Sequence, residues 1–305
     1  LSIKLSMTPN TATSLQPEQK SNGLNEIKDS LHKAVFFNNM STIKQLLVRK
    51  ETNVNATDSS GITPLYIACV KGYVDVVQVL LKVDSINVNK WIPRMKSTPL
   101  LSACLEGKVD IVKLLLATKS IKVNQPMHTG ATSLMLAVEA GHLDTIKLLL
   151  EMPDIKVNQG LTGGASHGAT PLWIACDKGH LKAVELLLKM KNIQINQRII
   201  DGRTPLFAAC LNNHLEIVKL LSATDKVLIN QPDNNQVTPL FVACQKGFLD
   251  IVKVLLKKKE IDIHKGFREY TPLKIAQVLK HNLIVPLLQQ HSITSPAPPS
   301  SPSVP

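Results

Sequence analysis

The sequence predicts an all-α solenoid built from pairs of short helices, and three observations point to it. The five cysteines stand at 69, 104, 176, 210 and 244, so the gaps are 35, 72, 34 and 34, the longest being close to two periods. Each cysteine lies six residues after a threonine that opens Thr-Pro-Leu, at Thr63, Thr98, Thr170, Thr204 and Thr238. Variants of that opening fill the remaining places: Thr132 begins Thr-Ser-Leu-Met-Leu-Ala-Val, Thr271 begins Thr-Pro-Leu-Lys-Ile-Ala-Gln, and a degenerate copy starts at Asp29. Units therefore start near 29, 63, 98, 132, 170, 204, 238 and 271. A period of about 35 residues is that of arrays whose units bury their apolar faces by stacking on one another.

Each unit reads in the same order. The threonine hydroxyl is suited to cap a first helix, and proline at the next position has a fixed φ and no N–H to leave unpaired in the first turn. Nine residues after the threonine stands Gly72, Gly107, Gly141, Gly179 or Gly247, or else Asn38 or Asn213. These are the residue types that best accept the left-handed conformation closing a helix. A second, amphipathic helix follows as Leu-Asp-Ile-Val-Lys-Leu-Leu-Leu or a variant, with Asp75, Asp110, Asp144, Glu216 and Asp250 near its positive end. Lysines gather toward the other end, as in Lys257-Lys258-Lys259. Next comes Ile-Xaa-Val-Asn or a relative, at residues 86 to 89, 121 to 124, 155 to 158 and 193 to 196, then a polar stretch with Gly often two residues before the next threonine. That stretch is expected to form a β-turn finger. Pro286 falls inside the last second helix, where a kink is expected.

This gives three segments: a polar arm over residues 1 to 28, the array over 29 to 288, and a Pro/Ser-rich, disordered tail over 289 to 305. The tail holds two Pro-Xaa-Xaa-Pro spacings, Pro296 with Pro299 and Pro299 with Pro302, and Ser295 and Ser301 each precede a proline. It reads as a linker. The apolar fraction of 44% over 305 residues is that of a folded protein. No stretch approaches the roughly 18 apolar residues of a membrane span, and the start shows no secretory pattern. The chain opens on Leu1 rather than Met, as expected of a fragment.

Thr-Pro-Leu-Xaa-Xaa-Ala, then Gly-His-Leu-Asp-Ile-Val-Xaa-Leu-Leu-Leu, then Val-Asn resembles the ankyrin repeat, over residues 29 to 288. The resemblance implies helix pairs stacked in a curved solenoid, fingers projecting at right angles, and a concave face made by fingers and first helices. It also implies a protein-binding role. The chain departs from the family at the fourth position of the signature, where only His32 is kept; Tyr66, Leu101, Met135, Trp173, Phe207, Phe241 and Lys274 stand in the other units. These are expected to fill the space between stacked repeats. His142, His180, His214 and His281 stand where the family usually carries a structural histidine.

Catalytic chemistry finds little footing. A nucleophile, base and orienter must converge in one pocket, whereas the repeat spreads its Cys, His, Asp and Thr positions along a line. There is no P-loop, Cys-Xaa-Xaa-Cys or His-Glu-Xaa-Xaa-His, and no cofactor or metal is expected. Cysteines on neighbouring repeats, on helices about 8–10 Å apart, are too distant for a disulfide or a shared metal ion. They read as buried free thiols in a reducing compartment, so the protein is expected to be intracellular and cytoplasmic, with the nucleus, or a host cytosol for a bacterial effector, as the alternatives. The glycine-rich finger from Gln159 to Ala169 lacks the strand and helix of a phosphate cradle and reads as a flexible insertion.

The charge of +12, from 35 basic and 23 acidic residues, raises nucleic acid as a ligand. The surplus spreads over helix ends, fingers and arm. In the ankyrin family the partner usually meets the finger residues one, three and four before the signature Thr, and the two residues before the Gly that ends helix one. Carried over, these positions hold Lys71, Arg94, Lys178, Arg203, Lys246 and Arg268 beside Glu106, Glu139, Asp177 and Asp201. Mixed charge suits a protein surface better than a phosphate backbone. The same positions hold Val70, Met95, Leu105, Ile200, Leu211 and Phe267, apolar groups expected to face solvent. The sharpest local candidate is the finger from Lys90 to Lys96, which joins Trp91 and Met95 to Lys90, Arg94 and Lys96 with no acid.

The expectation is thus a monomeric, non-enzymatic scaffold for a protein partner. The alternatives are an oligonucleotide binder acting through Trp91 and the basic fingers, or the recognition arm of a larger enzyme or ubiquitin-ligase adaptor. The resemblance adds one modification: asparaginyl hydroxylation at Asn89, Asn124, Asn158 and Asn196, each with the favoured Leu eight residues earlier.

Overall fold

A computed structural model describes residues 31 to 294. They form sixteen helices and no extended strand, in two compact units, one ending at Lys156 and the other beginning at Val157. The first unit holds α1 (Leu31–Phe36), α2 (Met40–Val48), α3 (Pro64–Lys71), α4 (Val74–Leu80), α5 (Pro99–Leu105), α6 (Val109–Leu116), α7 (Ser133–Ala140) and α8 (Leu143–Leu150). The second holds α9 (Pro171–Lys178), α10 (Leu181–Leu188), α11 (Pro205–Leu211), α12 (Leu215–Ser222), α13 (Pro239–Lys246), α14 (Leu249–Leu256), α15 (Pro272–Val278) and α16 (Val285–Thr294). Within each unit first helices stack on first helices (α1, α3, α5, α7; α9, α11, α13, α15) and second helices on second (α2, α4, α6, α8; α10, α12, α14).

Helices of six to ten residues are too short to persist alone, so packing holds them. The cap chemistry is repeated without variation. Thr63, Thr98, Thr132, Thr170, Thr204, Thr238 and Thr271 each accept the N–H three residues on, at 3.1–3.3 Å. At the other end Gly72, Gly107, Gly141, Gly179 and Gly247 are left-handed, as are Asn38 and Asn213, and Lys280 in the last unit. First helices are buried almost all round, as Leu65, Tyr66, Ala68 and Cys69 show in α3. Second helices bury one stripe, Ile111, Val112 and Leu115 in α6, and leave Asp110 and Lys113 outside.

The fourth signature position behaves as expected in six units: Tyr66, Leu101, Met135, Trp173, Phe207 and Phe241 are all buried. Each contributes on the order of 1.5–3 kcal/mol of burial. Tyr66 also finds a polar partner, since Ser102 Oγ donates to its hydroxyl at 2.9 Å. Lys274 departs from that reading. It is exposed, with its ammonium 5.2 Å from the centre of the Tyr270 ring. All five cysteines are buried and free. Burial pushes each thiol pKa up, that of Cys244 to about 12.

Two expectations need correcting. Pro286 does not kink a helix, because α16 starts only at Val285 and leaves Pro286 in the first turn, where no N–H is required. That helix also runs to Thr294, past the boundary at 288. The long finger is closed at its base: Gly168 N–H donates to Leu161 O at 2.8 Å and Leu161 N–H to Ala169 O at 3.1 Å, leaving Thr162 to Ala165 exposed at the tip. The arm over 1 to 28, Asp29 as the first unit's start, and the Pro-Xaa-Xaa-Pro stretch from Ser295 lie outside the described residues.

Candidate functional site

Two hydrogen-bond systems make each unit a fixed platform for its fingers. The first is the asparagine after each loop. Asn89 donates from its amide to Ser120 O at 2.7 Å and accepts from Lys122 N–H at 2.8 Å, one repeat on. Asn55 and Asn124 do the same in the first unit, and Asn158, Asn196 and Asn230 in the second. Both ends of the amide are occupied at the four residues singled out for hydroxylation. The second is the histidine column, where a carbonyl can only accept. His142 donates from Nε2 to Leu105 O at 2.9 Å, His214 to Asp177 O at 3.0 Å and His281 to Gln245 O at 3.2 Å, while His32, at the fourth signature position, donates to Ile62 O at 2.9 Å.

The same histidines explain the glycines beyond φ. A Cβ on Gly107 would meet the His142 ring at 2.6 Å, one on Gly179 the His214 ring at 2.5 Å, and one on Gly247 the His281 ring at 2.7 Å. The missing side chain makes a seat for the next repeat's imidazole. At Gly72 the neighbour is instead the flexible Lys108 side chain, at 3.7 Å.

Fingers are closed by backbone pairs that end one residue before the threonine, such as Asp58 N–H to Ile62 O at 3.0 Å and Ile199 N–H to Arg203 O at 3.1 Å. A left-handed residue makes the turn: Gly61, Gly130, Gly168 and Gly202 in four fingers, but Lys96, Gln236 and Arg268 in three.

On this frame the candidate contact residues of the first unit occupy helix-one ends and one finger. Val70 and Leu105 are half-buried, and Lys71 and Glu106 exposed. In the finger, Ile92 and Ser97 are buried and paired as an antiparallel bridge, which anchors the loop. Lys90, Trp91 and Met95 are then half-buried, while Arg94 projects and donates to Ser60 Oγ of the preceding finger at 2.8 Å.

In the second unit Ile200 is 60% exposed, Lys246 and Arg268 are exposed, and Lys178, Leu211 and Phe267 are half-buried. Arg203 is tied down, 3.2 Å from Asp201 and with its guanidinium 5.5 Å from the Phe207 ring centre. So only Ile200 among the six apolar candidates stands well out; Val70, Met95, Leu105, Leu211 and Phe267 lean on neighbours. Burying the last of their surface against a partner would cost little side-chain entropy.

Sequence reasoning missed an aromatic pair. Phe36 and Phe37 meet edge to face at 5.3 Å, with Phe37 68% exposed and the Lys71 ammonium 4.7 Å from the Phe36 ring centre. They hold the two places before Asn38 that Val70 and Lys71 hold before Gly72. That register was the available signal, obscured because the first copy lacks its Thr-Pro.

No helix among the described residues is long and apolar enough to cross a membrane. Comparison with known proteins agrees with the repeat geometry. A family model described as ankyrin repeats, in three copies, matches residues 31–127, 122–199, 191–266 and 225–296. Protein phosphatase 1 regulatory subunit 27 from Homo sapiens is 40% identical over 52 residues, which are 17% of this chain and 33% of that protein, and the Mus musculus protein matches to the same extent. The chain thus spans about a third of the length of these curated relatives. With paired helices, Thr caps and matched segments running from residue 31 to residue 296, the chain belongs to the ankyrin-repeat family.

Proposed function

We propose that the chain is a non-enzymatic scaffold that holds a protein partner against its finger tips and the ends of its first helices. The observation that carries this is the contrast between those tips and what lies under them. In the first unit Phe37, Lys71 and Arg94, and in the second unit Ile200 and Arg268, are exposed on backbone locked by the asparagine and histidine bonds between repeats. A surface already ordered pays little entropy on binding. The 52 residues shared with protein phosphatase 1 regulatory subunit 27 are about one and a half repeats, so they support a regulatory or adaptor role through the scaffold rather than a particular partner. Five buried free thiols fit a reducing cytoplasmic setting, and we take the working form to be a monomer.

The test is affinity capture from a eukaryotic lysate with wild type beside Trp91→Ala/Arg94→Ala. Both side chains lie at a finger surface, so the thermal midpoint is expected to change little while specific partners are lost. A capture profile identical to wild type would remove the finger from the binding face. Hydroxylation of Asn89, Asn124, Asn158 or Asn196 is a further proposal, and intact-mass spectrometry of protein from an oxygenated eukaryotic culture checks it. Because each amide is doubly bonded, modification requires the loop to open.

A further inference from the structure

The last finger of the second unit gathers two aromatic rings and two cations on one face. Phe267 and Tyr270 exchange both backbone bonds, each N–H to the other's carbonyl at 3.0 Å, closing a hairpin with Arg268 and Glu269 at the tip. Residues directly opposite in an antiparallel pair send their side chains to the same face, with Cβ atoms about 5 Å apart. Each ring carries its own cation: the Arg268 guanidinium lies 5.0 Å from the Phe267 centre, and the Lys274 ammonium 5.2 Å from the Tyr270 centre.

Three further observations bear on the cluster. Arg268 sits at φ 53, a conformation that glycine adopts without cost and arginine does not. The hairpin is seated, because a Cβ on Gly266 would meet the Tyr270 carbonyl and, at 2.9 Å, the Phe241 ring. Lys274 takes the position that six other units fill with a buried apolar group, and it is exposed. Lys246 on α13 is exposed as well. The opposing charges are Glu269, exposed at the tip, and Asp262, which already accepts His264 and Lys265 N–H groups and lies 3.8 Å from the Lys265 ammonium.

We propose that the Phe267–Tyr270 hairpin with Lys274 is a receptor for an acidic peptide segment, whose carboxylates bind the ring-held cations. The assignment rests on the scaffold reading and gives it a ligand chemistry. A guanidinium held over a ring keeps its N–H edge free for bidentate contact with a carboxylate, and its position costs no further ordering. Single-stranded nucleic acid fits less well. Its bases need open ring faces to stack on, and here both rings have a cation over them.

The experiment is fluorescence anisotropy with the full chain and three probes. These are a fluorescein-labelled Gly-Glu-Glu-Phe-Glu-Glu-Leu-Glu peptide, the same peptide with every Glu replaced by Gln, and a labelled oligothymidylate of equal charge. Wild type is expected to bind the acidic peptide, and the Gln peptide about tenfold more weakly or less. Arg268→Gly and Lys274→Gln should each weaken the acidic peptide by about fivefold or more. Arg268→Gly should do so with an unchanged or raised thermal midpoint, because glycine relieves the left-handed residue. The assignment is overturned if wild type ignores the acidic peptide, if neither substitution changes its affinity, or if the oligothymidylate binds more tightly and is lost with the same substitutions. Failure here with partner capture still dependent on Trp91 and Arg94 would leave the scaffold reading standing; no specific capture by the wild-type chain would count against the scaffold reading itself.

Discussion

Glycine at the end of a first helix does two separable things, and a matched pair of substitutions tells them apart. Gly72 and Gly179 have nearly the same φ, 81° and 77°, so alanine at either should cost about 1 kcal/mol for the left-handed backbone. At Gly179 the new methyl would also stand 2.5 Å from the His214 ring, whereas at Gly72 it touches only the end of a lysine. Gly179→Ala is therefore expected to lose roughly 1–3 kcal/mol more than Gly72→Ala in urea titration, by overpacking. Equal losses would show that backbone conformation alone selects glycine. The left-handed role was legible in the sequence from the nine-residue spacing. The seat for the imidazole was not, because it joins residues one repeat apart and depends on where a ring comes to rest.

Among elements, the loops carry the continuity from repeat to repeat. Asn196 spans two partners, Lys226 O at 2.7 Å and Leu228 N–H at 2.9 Å, so Asn196→Ala should cost about 1–2 kcal/mol and expose both groups to water. Hydrogen exchange at the Leu228 amide is the direct readout: it should accelerate in Asn196→Ala, and unchanged protection would mean the bond is dispensable. The helices, their caps and the buried thiol column follow from local pattern, which is why spacing alone located them. The binding candidates were less legible. Position gave the candidate residues of each unit, but not that Arg203 is spent on Asp201 and Phe207, that Val70 and Leu105 are half covered, or that Phe36 and Phe37 join those of the first unit. Lys274 was misplaced for the same reason, since the periodic slot is apolar in six other units and only three-dimensional context reveals an uncovered one.

For the molecule as a whole, the buried thiols are expected to make stability fall at alkaline pH. Burial raises each thiol pKa above the ordinary value of about 8.5, so the folded chain keeps neutral thiols where the unfolded chain forms thiolates. Their contribution is complete below that value and declines as pH rises through it toward about 12, the value for Cys244. Each buried thiol gives up on the order of 1.4 kcal/mol per pH unit in that window. The urea midpoint should thus fall between pH 8 and 10, and less steeply in Cys176→Ala/Cys210→Ala; equal slopes would show that other groups govern the fall.

The imidazole seats also bear on how such an array can gain or lose units. Gly107 is matched to His142, Gly179 to His214 and Gly247 to His281, so half of each fit is encoded one period downstream of the other. Excising residues 204 to 237 would set Gly179 opposite Phe248 in place of His214, leaving the Asp177 carbonyl without its donor. A junction that brings Phe248 or Lys108 to such a seat therefore loses the imidazole, whereas one that brings another histidine keeps it. A deletion that keeps glycine opposite histidine at its junction should be tolerated better than one that sets glycine opposite Phe248.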